Sequence, residues 1–404
     1  MSRPVLALLT TLLIQVLASL ALMTAPVLAP EVAQSYSFQA TKVGVFISVA
    51  YAAATIASLF SGFLVERFGA IRTSQISLLL CAIGLVLTTF GGIVGMLIGA
   101  YLLGTGYGPI TPASSQILAR TTPQHMMSMF FSLKQTGVPL GGALAGLMLP
   151  IAVINWQWQG AVFVVVSLCV LGMLACQFVR ANFDDDLNGS HTFNIQSVLV
   201  PFKAVIKNTD IRRLAICSLF FSIVQMCLAT YIVTYLTVDL GITLTLAGII
   251  MFVVQGSGVV GRIVWGLVAD RWLSSLAVLI MLGFAMGASS FLMAMVDSNW
   301  SVWFIIILCM VFGATAIGWN GVYLAEVARL SPIGQAGLMT GGTLFFTYLG
   351  VVVGPPVFAF AVEKSNSFAF AFVLLGAMIT LAAVGLLRQY MISKKALINS
   401  QVSK

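Results

Sequence analysis

Twelve long apolar runs dominate the sequence, and their length limits the possible folds more than any other feature. A helix needs about 20 apolar residues to cross a bilayer, whereas a spanning β-strand shows only about 10 residues of alternating polarity. Because lipid offers no partners for backbone polar groups, helices are the expected spanning element. The pattern predicts an all-α membrane protein with twelve transmembrane helices. The runs cover residues 5–29, 42–65, 73–91, 94–118, 127–152, 158–180, 212–238, 245–268, 275–296, 300–325, 335–361 and 367–390.

The composition agrees with a lipid-facing exterior. Only 7% of the 404 residues are charged and the mean hydropathy is +1.07, whereas a soluble domain has about 25% charged residues. The net charge of +8 does not indicate nucleic-acid binding, because the Lys and Arg residues, apart from Lys134 and Arg262, lie at span ends or between spans. The six cysteines all lie in apolar runs and are interpreted as reduced packing residues. The first run is too long for the apolar core of a signal peptide, so a retained helix is expected.

The basic residues predict which ends of the spans face the cytoplasm. Of the 19 Lys and Arg residues, fifteen lie on the side of the N-terminus, and two, Lys42 and Lys364, lie in loops on the opposite side. Lys and Arg are retained in the cytoplasm during membrane insertion. We therefore expect a multi-pass protein of a bacterial inner membrane with both termini in the cytoplasm.

The two halves of the chain repeat each other. The segment 61–68 (SGFLVERF) matches 265–272 (WGLVADRW), and 119–123 (ARTTP) matches 328–332 (ARLSP). A hydrophilic segment separates the halves, and its run of Asp184, Asp185 and Asp186 is interpreted as solvated linker. The predicted domains are an N-terminal bundle over 1–180, a cytoplasmic linker over 181–211, a C-terminal bundle over 212–392 and a cytoplasmic tail over 393–404.

The repeated loops carry a motif of glycine, acidic and basic residues. This motif resembles the signature loop of the major facilitator superfamily, and the resemblance covers the whole chain. It implies two pseudo-symmetric six-helix bundles in a monomer that moves a small solute by alternating access. It also implies that the charged residues of these loops form a conformational latch. The motif residues are Gly62, Glu66, Arg67 and Arg72 after the second run, and Gly266, Asp270 and Arg271 after the eighth.

Two cations lie inside the predicted spans. Lys134 and Arg262 each lie about eight residues from the cytoplasmic end of a span, roughly 12 Å deep at 1.5 Å per residue. No Asp or Glu of the sequence falls at that depth, and a buried cation is unfavourable without a partner. An anionic solute would supply the missing charge.

The resemblance supports a solute contact for Arg262, because anion carriers of the superfamily have a similar arrangement of Arg and Gly on the eighth helix. Here that arrangement is Gly261, Arg262 and Gly266. A structural role is the alternative for both cations. Arg262 shares a helix face with Gly266 and Asp270, and the Lys134 side chain is long enough to reach the membrane interface.

Polar residues of other spans are candidates for the same solute site. The resembled fold places spans one, four, seven and ten around its central cavity. The alternative role of each polar residue is a helix–helix hydrogen bond. Pro109 and Pro112 predict a break in span four, and the glycines around Asn320 predict one in span ten. The glycines of span five between 137 and 146 are interpreted as packing residues. The candidates are Gln15, Tyr107, Thr111, Ser115, Gln225, Tyr231, Trp319, Asn320 and Tyr323.

These observations predict a secondary transporter for a small organic anion, coupled by proton symport or by anion exchange. A proton-driven exporter of drugs or metabolites is the alternative, although such a pump usually carries a carboxylate within its spans. An enzyme is not expected, because the spans hold no metal cluster, nucleophile motif or aspartate pair. No cofactor and no metal are expected. The expected partners are the solute, the lipid bilayer and protons as the coupling ion.

Overall fold

A computed structural model of the chain describes residues 2–123, 127–184, 196–332 and 336–402. These residues form long helices and no strands, which confirms the predicted all-α class. The helices are α1 (Arg3–Tyr36), α2 (Val43–Leu59), α3 (Ser61–Phe68), α4 (Ala70–Phe90), α5 (Gly92–Tyr107), α6 (Ile110–Thr121), α7 (Met127–Gln135), α8 (Gly137–Val179), α9 (Gln196–Lys207), α10 (Thr209–Thr234), α11 (Leu244–Arg271), α12 (Ser275–Met293), α13 (Val302–Ala316), α14 (Asn320–Leu330), α15 (Ala336–Ser365) and α16 (Phe368–Val402).

The number of membrane spans follows from these helices. Among the described residues, 11 helical segments are long and apolar enough to cross a membrane, and one of them, Leu133–Asn182, has 50 residues. A straight helix of that length measures about 75 Å, more than twice the thickness of the hydrocarbon core. Trp156 and Gln157 interrupt it with non-helical backbone angles. The segment therefore counts as two spans, and the total agrees with the predicted twelve.

By their contacts the helices form two compact units. Unit 1 consists of Met1–Asn194 with Ala229–Gly256, and unit 2 of Ile195–Leu228 with Ser257–Lys404. In unit 1, α1 packs against α8, α4 against α5 and α8, and α2 against α5. In unit 2, α12 packs against α13 and α16, and α15 packs against α9, α14 and α16. The division of the chain into domains 1–180 and 212–392 stays a prediction.

Small residues permit the closest helix contacts. A β-carbon at Gly141 of α8 would lie 2.5 Å from the carbonyl oxygen of Val16 in α1, and one at Gly146 would lie 2.6 Å from the carbonyl oxygen of Gly248 in α11. These separations are too short for any side chain, so the glycines set the distance between the helices. The interpretation of the span-five glycines as packing residues is confirmed.

Short interruptions divide several of the spans, and three of the interruptions lie beside polar residues. Span four breaks between α5 and α6 at Gly108 and Pro109, as predicted, because proline has no N–H to continue the helix. Span ten breaks between α13 and α14 at residues 317–319, beside Asn320, which is also as predicted. Span five breaks at Thr136, where Pro139 deprives the carbonyl of Gln135 of its helical partner. The interruptions place residues with polar side chains at the ends of short helices.

Candidate functional site

The most deeply buried cation of the described residues is Lys134, which lies in unit 1. Lys134 is only 1% exposed. Its Nζ donates hydrogen bonds to Gln15 Oε1 at 2.8 Å and to Thr111 Oγ1 at 3.3 Å. Thr111 Oγ1 also donates to Gln15 Oε1 at 3.1 Å. Three of the predicted candidates, from spans one, four and five, therefore meet in one cluster, which we call the lysine cluster.

Local sequence explains how these side chains converge. Lys134 lies in the last turn of α7, where the partial negative charge of the helix C-terminus favours a cation. Thr111 is the second residue of α6, directly after the break at Pro109. Gly137 lets α8 approach α1, because a β-carbon there would lie 3.0 Å from the side chain of Gln15. The breaks in spans four and five therefore assemble the cluster around Gln15.

The lysine cluster contains hydrogen-bonding capacity that the described residues do not use. Gln15 Oε1 accepts two bonds, whereas Gln15 Nε2 is buried and has no partner among the described residues. No ion pair joins Lys134 to a carboxylate in that part of the chain. A buried cation beside an unused amide donor is a suitable environment for an anion that accepts from both groups. The expectation that Lys134 lacks a fixed counter-ion holds for the described residues.

A second polar cluster lies in unit 2 and is built around Gln225 of α10. Gln225 Oε1 accepts from Trp319 Nε1 at 2.9 Å and from Asn320 Nδ2 at 3.2 Å. Trp319 is fully buried, and its ring meets the ring of Phe221 edge-on with centroids 5.3 Å apart. The ring of Tyr323 also meets that of Trp319 edge-on, with centroids 5.2 Å apart. We call this group the tryptophan cluster.

Arg262 joins the tryptophan cluster through a backbone carbonyl. Its Nε donates to the Ile317 oxygen at 3.1 Å, and Asn320 Nδ2 lies 3.5 Å from the same oxygen. This oxygen belongs to the break between α13 and α14, which leaves it without a helical donor. The neighbouring Trp265 donates from Nε1 to the Ala314 oxygen at 2.8 Å. Arg262 thus stabilises the break between α13 and α14. Its Nε therefore has the structural role that was the alternative to binding the solute. Its role as a solute contact stays a prediction.

The two clusters follow the internal repeat of the sequence. Gln15 and Gln225 are 210 positions apart (225 minus 15) on the first helix of each half, and Thr111 and Asn320 are 209 positions apart (320 minus 111) directly after the break in the fourth span. In each cluster the glutamine carbonyl accepts from the residue after the break. The duplication has therefore preserved a polar arrangement along with the helices.

Two tyrosine candidates lie apart from these hydrogen bonds. The ring of Tyr107 meets that of Tyr51 edge-on with centroids 5.9 Å apart. Tyr231 is fully buried and donates from its hydroxyl to the Thr41 carbonyl oxygen at 3.2 Å. Tyr231 thus makes a hydrogen bond within unit 1 to the one-turn 3-10 helix that precedes α2, and its role as a solute contact stays a prediction.

The latch residues are described only in part. Gly62 and Glu66 belong to α3, and the side chain of Glu66 lies outside the described part of the structure. Arg67 is exposed and lies over the rings of Phe63 and Phe68, with its guanidinium carbon 5.7 and 5.8 Å from their centroids. In the second loop Asp270 and Arg271 are exposed, and a β-carbon at Gly266 would meet no atom within 4 Å. The latch stays a prediction.

Among the described residues, the Asp184 carboxylate contacts the first motif loop. It accepts from the backbone N–H groups of Ile71 at 2.8 Å and Arg72 at 3.0 Å, and its side chain is only 2% exposed. It thereby caps the N-terminus of α4, where the helix dipole favours an anion. Arg180 Nε lies 3.7 Å away.

The interpretation of Asp184 as solvated linker is wrong, whereas Asp185 and Asp186 lie outside the described residues. The only sequence signal for this cap was Gly69, the residue before α4. A helix that begins without a side-chain cap needs an acceptor from elsewhere in the chain for its first N–H groups.

Comparison with known proteins identifies the family. Residues 11–355 match the sequence profile of the Major Facilitator Superfamily. The chain belongs to this superfamily. It is 21% identical over 386 residues to the hexuronate transporter of Bacillus subtilis, with 89% of this chain and 88% of that protein covered. It is 22% identical over 380 residues to the gentisate transporter of Corynebacterium glutamicum, with 88% of this chain and 80% of that protein covered.

Solved structures show the same fold for this superfamily member. The crystal structure of a D-xylose–proton symporter is similar with a TM-score of 0.71 at 16% identity, and the match covers 95% of this chain and 96% of that one. The protein is therefore a multi-pass membrane transporter and not an enzyme. Its curated relatives include transporters named for two organic acids.

Proposed function

We propose that this major facilitator protein is a secondary transporter of small organic anions and that the lysine cluster binds the carboxylate. The observation that supports this most is the buried Lys134 ammonium group with no carboxylate partner among the described residues. The solute carboxylate accepts one bond from Lys134 Nζ and one from Gln15 Nε2. The names of the two organic-acid transporters among the relatives agree with this class of solute.

A charged solute suits this cluster better than a neutral one. Holding a cation within the hydrocarbon region costs about 2.5–3.5 kcal/mol on insertion scales, and an anion bound beside it recovers part of that energy. Charge-assisted hydrogen bonds are also stronger than neutral ones. The tryptophan cluster offers amide and indole groups with aromatic rings. We propose Gln225, Asn320, Trp319 and Tyr323 as solute contacts of unit 2 in their own right, suited to hydroxyl groups or a ring.

The decisive experiment measures uptake of radiolabelled organic anions by proteoliposomes. The panel contains a hexuronate, gentisate, xylose as a neutral sugar and a cationic amphiphile. Lys134→Gln removes the ammonium, and Gln15→Glu places a competing carboxylate beside it. Both variants are expected to lose anion uptake, equivalent to roughly 2 to 5 kcal/mol of binding energy. Lys364→Gln, at a lysine whose Nζ lies over the ring of Phe360, is the matched control and keeps wild-type uptake.

Folding of the variants separates a binding role from a structural one. Lys134→Gln removes a desolvated charge, so its Tm is expected to equal or exceed that of the wild type while anion uptake is lost. Undiminished anion uptake by Lys134→Gln would contradict the proposal. Transport limited to the cationic amphiphile would instead support the drug-exporter alternative.

Arg262 is tested by a conservative and a neutral substitution. A lysine keeps the charge but not the planar fork of nitrogens, so Arg262→Lys is expected to impair anion uptake and Arg262→Gln to abolish it. If Arg262 only supports the Ile317 carbonyl, both variants lower Tm while the KM for the anion is unchanged in the folded fraction.

The coupling is proposed to be either proton symport or anion exchange. Liposomes loaded with the same unlabelled anion accelerate uptake under exchange, whereas an imposed inward proton gradient accelerates it under symport. The two conditions are compared in one preparation, so a defect of the protein affects both equally.

A further inference from the structure

Unit 1 contains an apolar cavity that is separate from the lysine cluster. Its volume is about 360 Å³, and it lies where α1 ends and α2 begins. Its walls come from α1, α2, α4, α5 and the second part of α8. Along α1 the lining extends from Thr24 to Val32, a rise of roughly 12 Å at 1.5 Å per residue. The cavity therefore extends along α1 far enough to hold part of an extended acyl chain.

The lining is almost entirely hydrocarbon. Its only side chains with polar groups are those of Thr24, Thr88, Lys42 and Trp158. Thr24 and Thr88 donate their hydroxyl groups to the carbonyls of Leu20 and Leu85 in their own helices. Trp158 donates its indole N–H to Ser35 Oγ at 3.0 Å. A polar solute would find few partners in this space, whereas an alkyl chain would lose nothing by entering it.

The cavity borders the surface that faces lipid. Three of its lining residues expose much of their apolar side chains, Val45 by 42%, Ile93 by 65% and Leu97 by 40%. In a membrane-spanning protein such exposed apolar residues contact acyl chains. An acyl chain that enters the cavity from the bilayer would pass this exposed apolar rim.

A cation and an aromatic cluster lie at the end of the cavity. Lys42 is exposed in the turn between α1 and α2 and is one of the lining residues. Nearby, the ring of Tyr36 lies 6.4 Å from that of Phe38 and 6.0 Å from that of Trp158, between centroids. Tyr and Trp concentrate at the level of the lipid head groups. Lys42 is also one of two basic residues on its side in the predicted topology, where such residues are scarce.

We propose that the cavity binds one acyl chain of an anionic phospholipid, whose phosphate pairs with the Lys42 ammonium group. The chain fills the space between α1, α2 and α5, and the head group lies at the level of Tyr36 and Trp158. An anionic lipid fits better than a zwitterionic one, because a choline or ethanolamine group would bring a second cation close to Lys42. This site is independent of the solute site and of its proposed substrate.

The test measures lipid retention by native mass spectrometry of the purified protein. Phosphatidylglycerol and phosphatidylcholine with identical acyl chains are added in equal amounts. The wild type is expected to retain phosphatidylglycerol about fivefold better, the effect of one lysine near an anionic lipid. Lys42→Gln is expected to abolish this preference, whereas Lys364→Gln, which removes the other lysine of that side, keeps it.

Filling the cavity provides a second variant. Ala25 lines the cavity and is partly exposed, so Ala25→Leu adds volume with little strain elsewhere and is expected to reduce retention of both lipids. Equal retention of the two lipids by the wild type, or an unchanged preference in Lys42→Gln, overturns the proposal. Displacement of phosphatidylglycerol by an equimolar fatty alcohol of the same chain length, which has no anionic group, overturns it as well, because the phosphate would then contribute nothing.

Discussion

At the start of α4, Gly69 has a backbone φ of 92°, and the carboxyl group of Asp184 occupies the position of a β-carbon there. Its ψ is 155°, and at this combination of angles, which glycine alone adopts readily, a residue with a side chain costs about 1–3 kcal/mol. An alanine would also displace the Asp184 cap. We expect Gly69→Ala to lower Tm in detergent clearly. Gly266→Ala, where a β-carbon meets no atom within 4 Å, is the control and should leave Tm unchanged. Equal values for both variants would contradict the role of Gly69.

Glu326 offers a second test at the scale of single residues. Its side chain is 1% exposed and accepts from Arg329 Nε at 2.8 Å, although the Arg329 side chain is 62% exposed. Arg329→Gln leaves a buried carboxylate without its cation and is expected to destabilise the protein by about 1–3 kcal/mol. The double variant with Glu326→Gln is expected to recover most of the lost Tm, because no buried charge remains. Arg388→Gln, at an exposed position, is the control. No recovery in the double variant would contradict the pair.

At the scale of helices, the crossing of α8 and α11 depends on Gly146 and Gly248. Each glycine lies against the backbone of the other, and a β-carbon at Gly146 would lie 2.6 Å from the Gly248 oxygen. Gly146→Val is therefore expected to separate these helices, with lower Tm and lower transport. Gly256→Ala, in α11 with no atom within 4 Å of its β-carbon, is expected to behave as wild type. Wild-type Tm and transport in Gly146→Val would show that this crossing is not required.

The helix breaks show how far local sequence predicts such elements. Pro109 predicted the break before Thr111, and glycines predicted the one before Asn320, because both residue types weaken helices wherever they occur. The break at Thr136 was not predicted, although Pro139 is its local cause. Its importance appears only when Lys134 and Gln15 are seen in contact, since those residues are 119 positions apart.

For the whole molecule, the asymmetry of basic residues predicts that both termini are cytoplasmic. We expect a fluorescent reporter fused after the last residue, or inserted in the segment 185–195, to be active only in the cytoplasm. Alkaline phosphatase fused at the turn near Lys42 is expected to be active outside it. Absence of fluorescence at either of the first two positions would contradict the topology, whereas failure of the third alone would indicate a local effect of the fusion.

The sequence alone determined that the protein lies in lipid and that its architecture is helical. Runs of about 20 apolar residues predict membrane-spanning helices because backbone groups in lipid must bond within the helix. The repeated motifs around Gly62 and Gly266 identified the superfamily, and the absence of carboxylates within the spans marked Lys134 and Arg262. These conclusions depend on composition and spacing, which do not require knowledge of contacts.

The tertiary structure decided which polar groups meet. Residue spacing cannot show that Gln15 accepts from Lys134, that Arg262 supports the Ile317 carbonyl, or that Asp184 caps α4, because each contact joins distant parts of the chain. The direction of a side chain in a helix depends on the rotation of that helix, which packing against its neighbours sets. The same helical sequence therefore fits a solute contact or a structural bond, and only the packed helices separate the two.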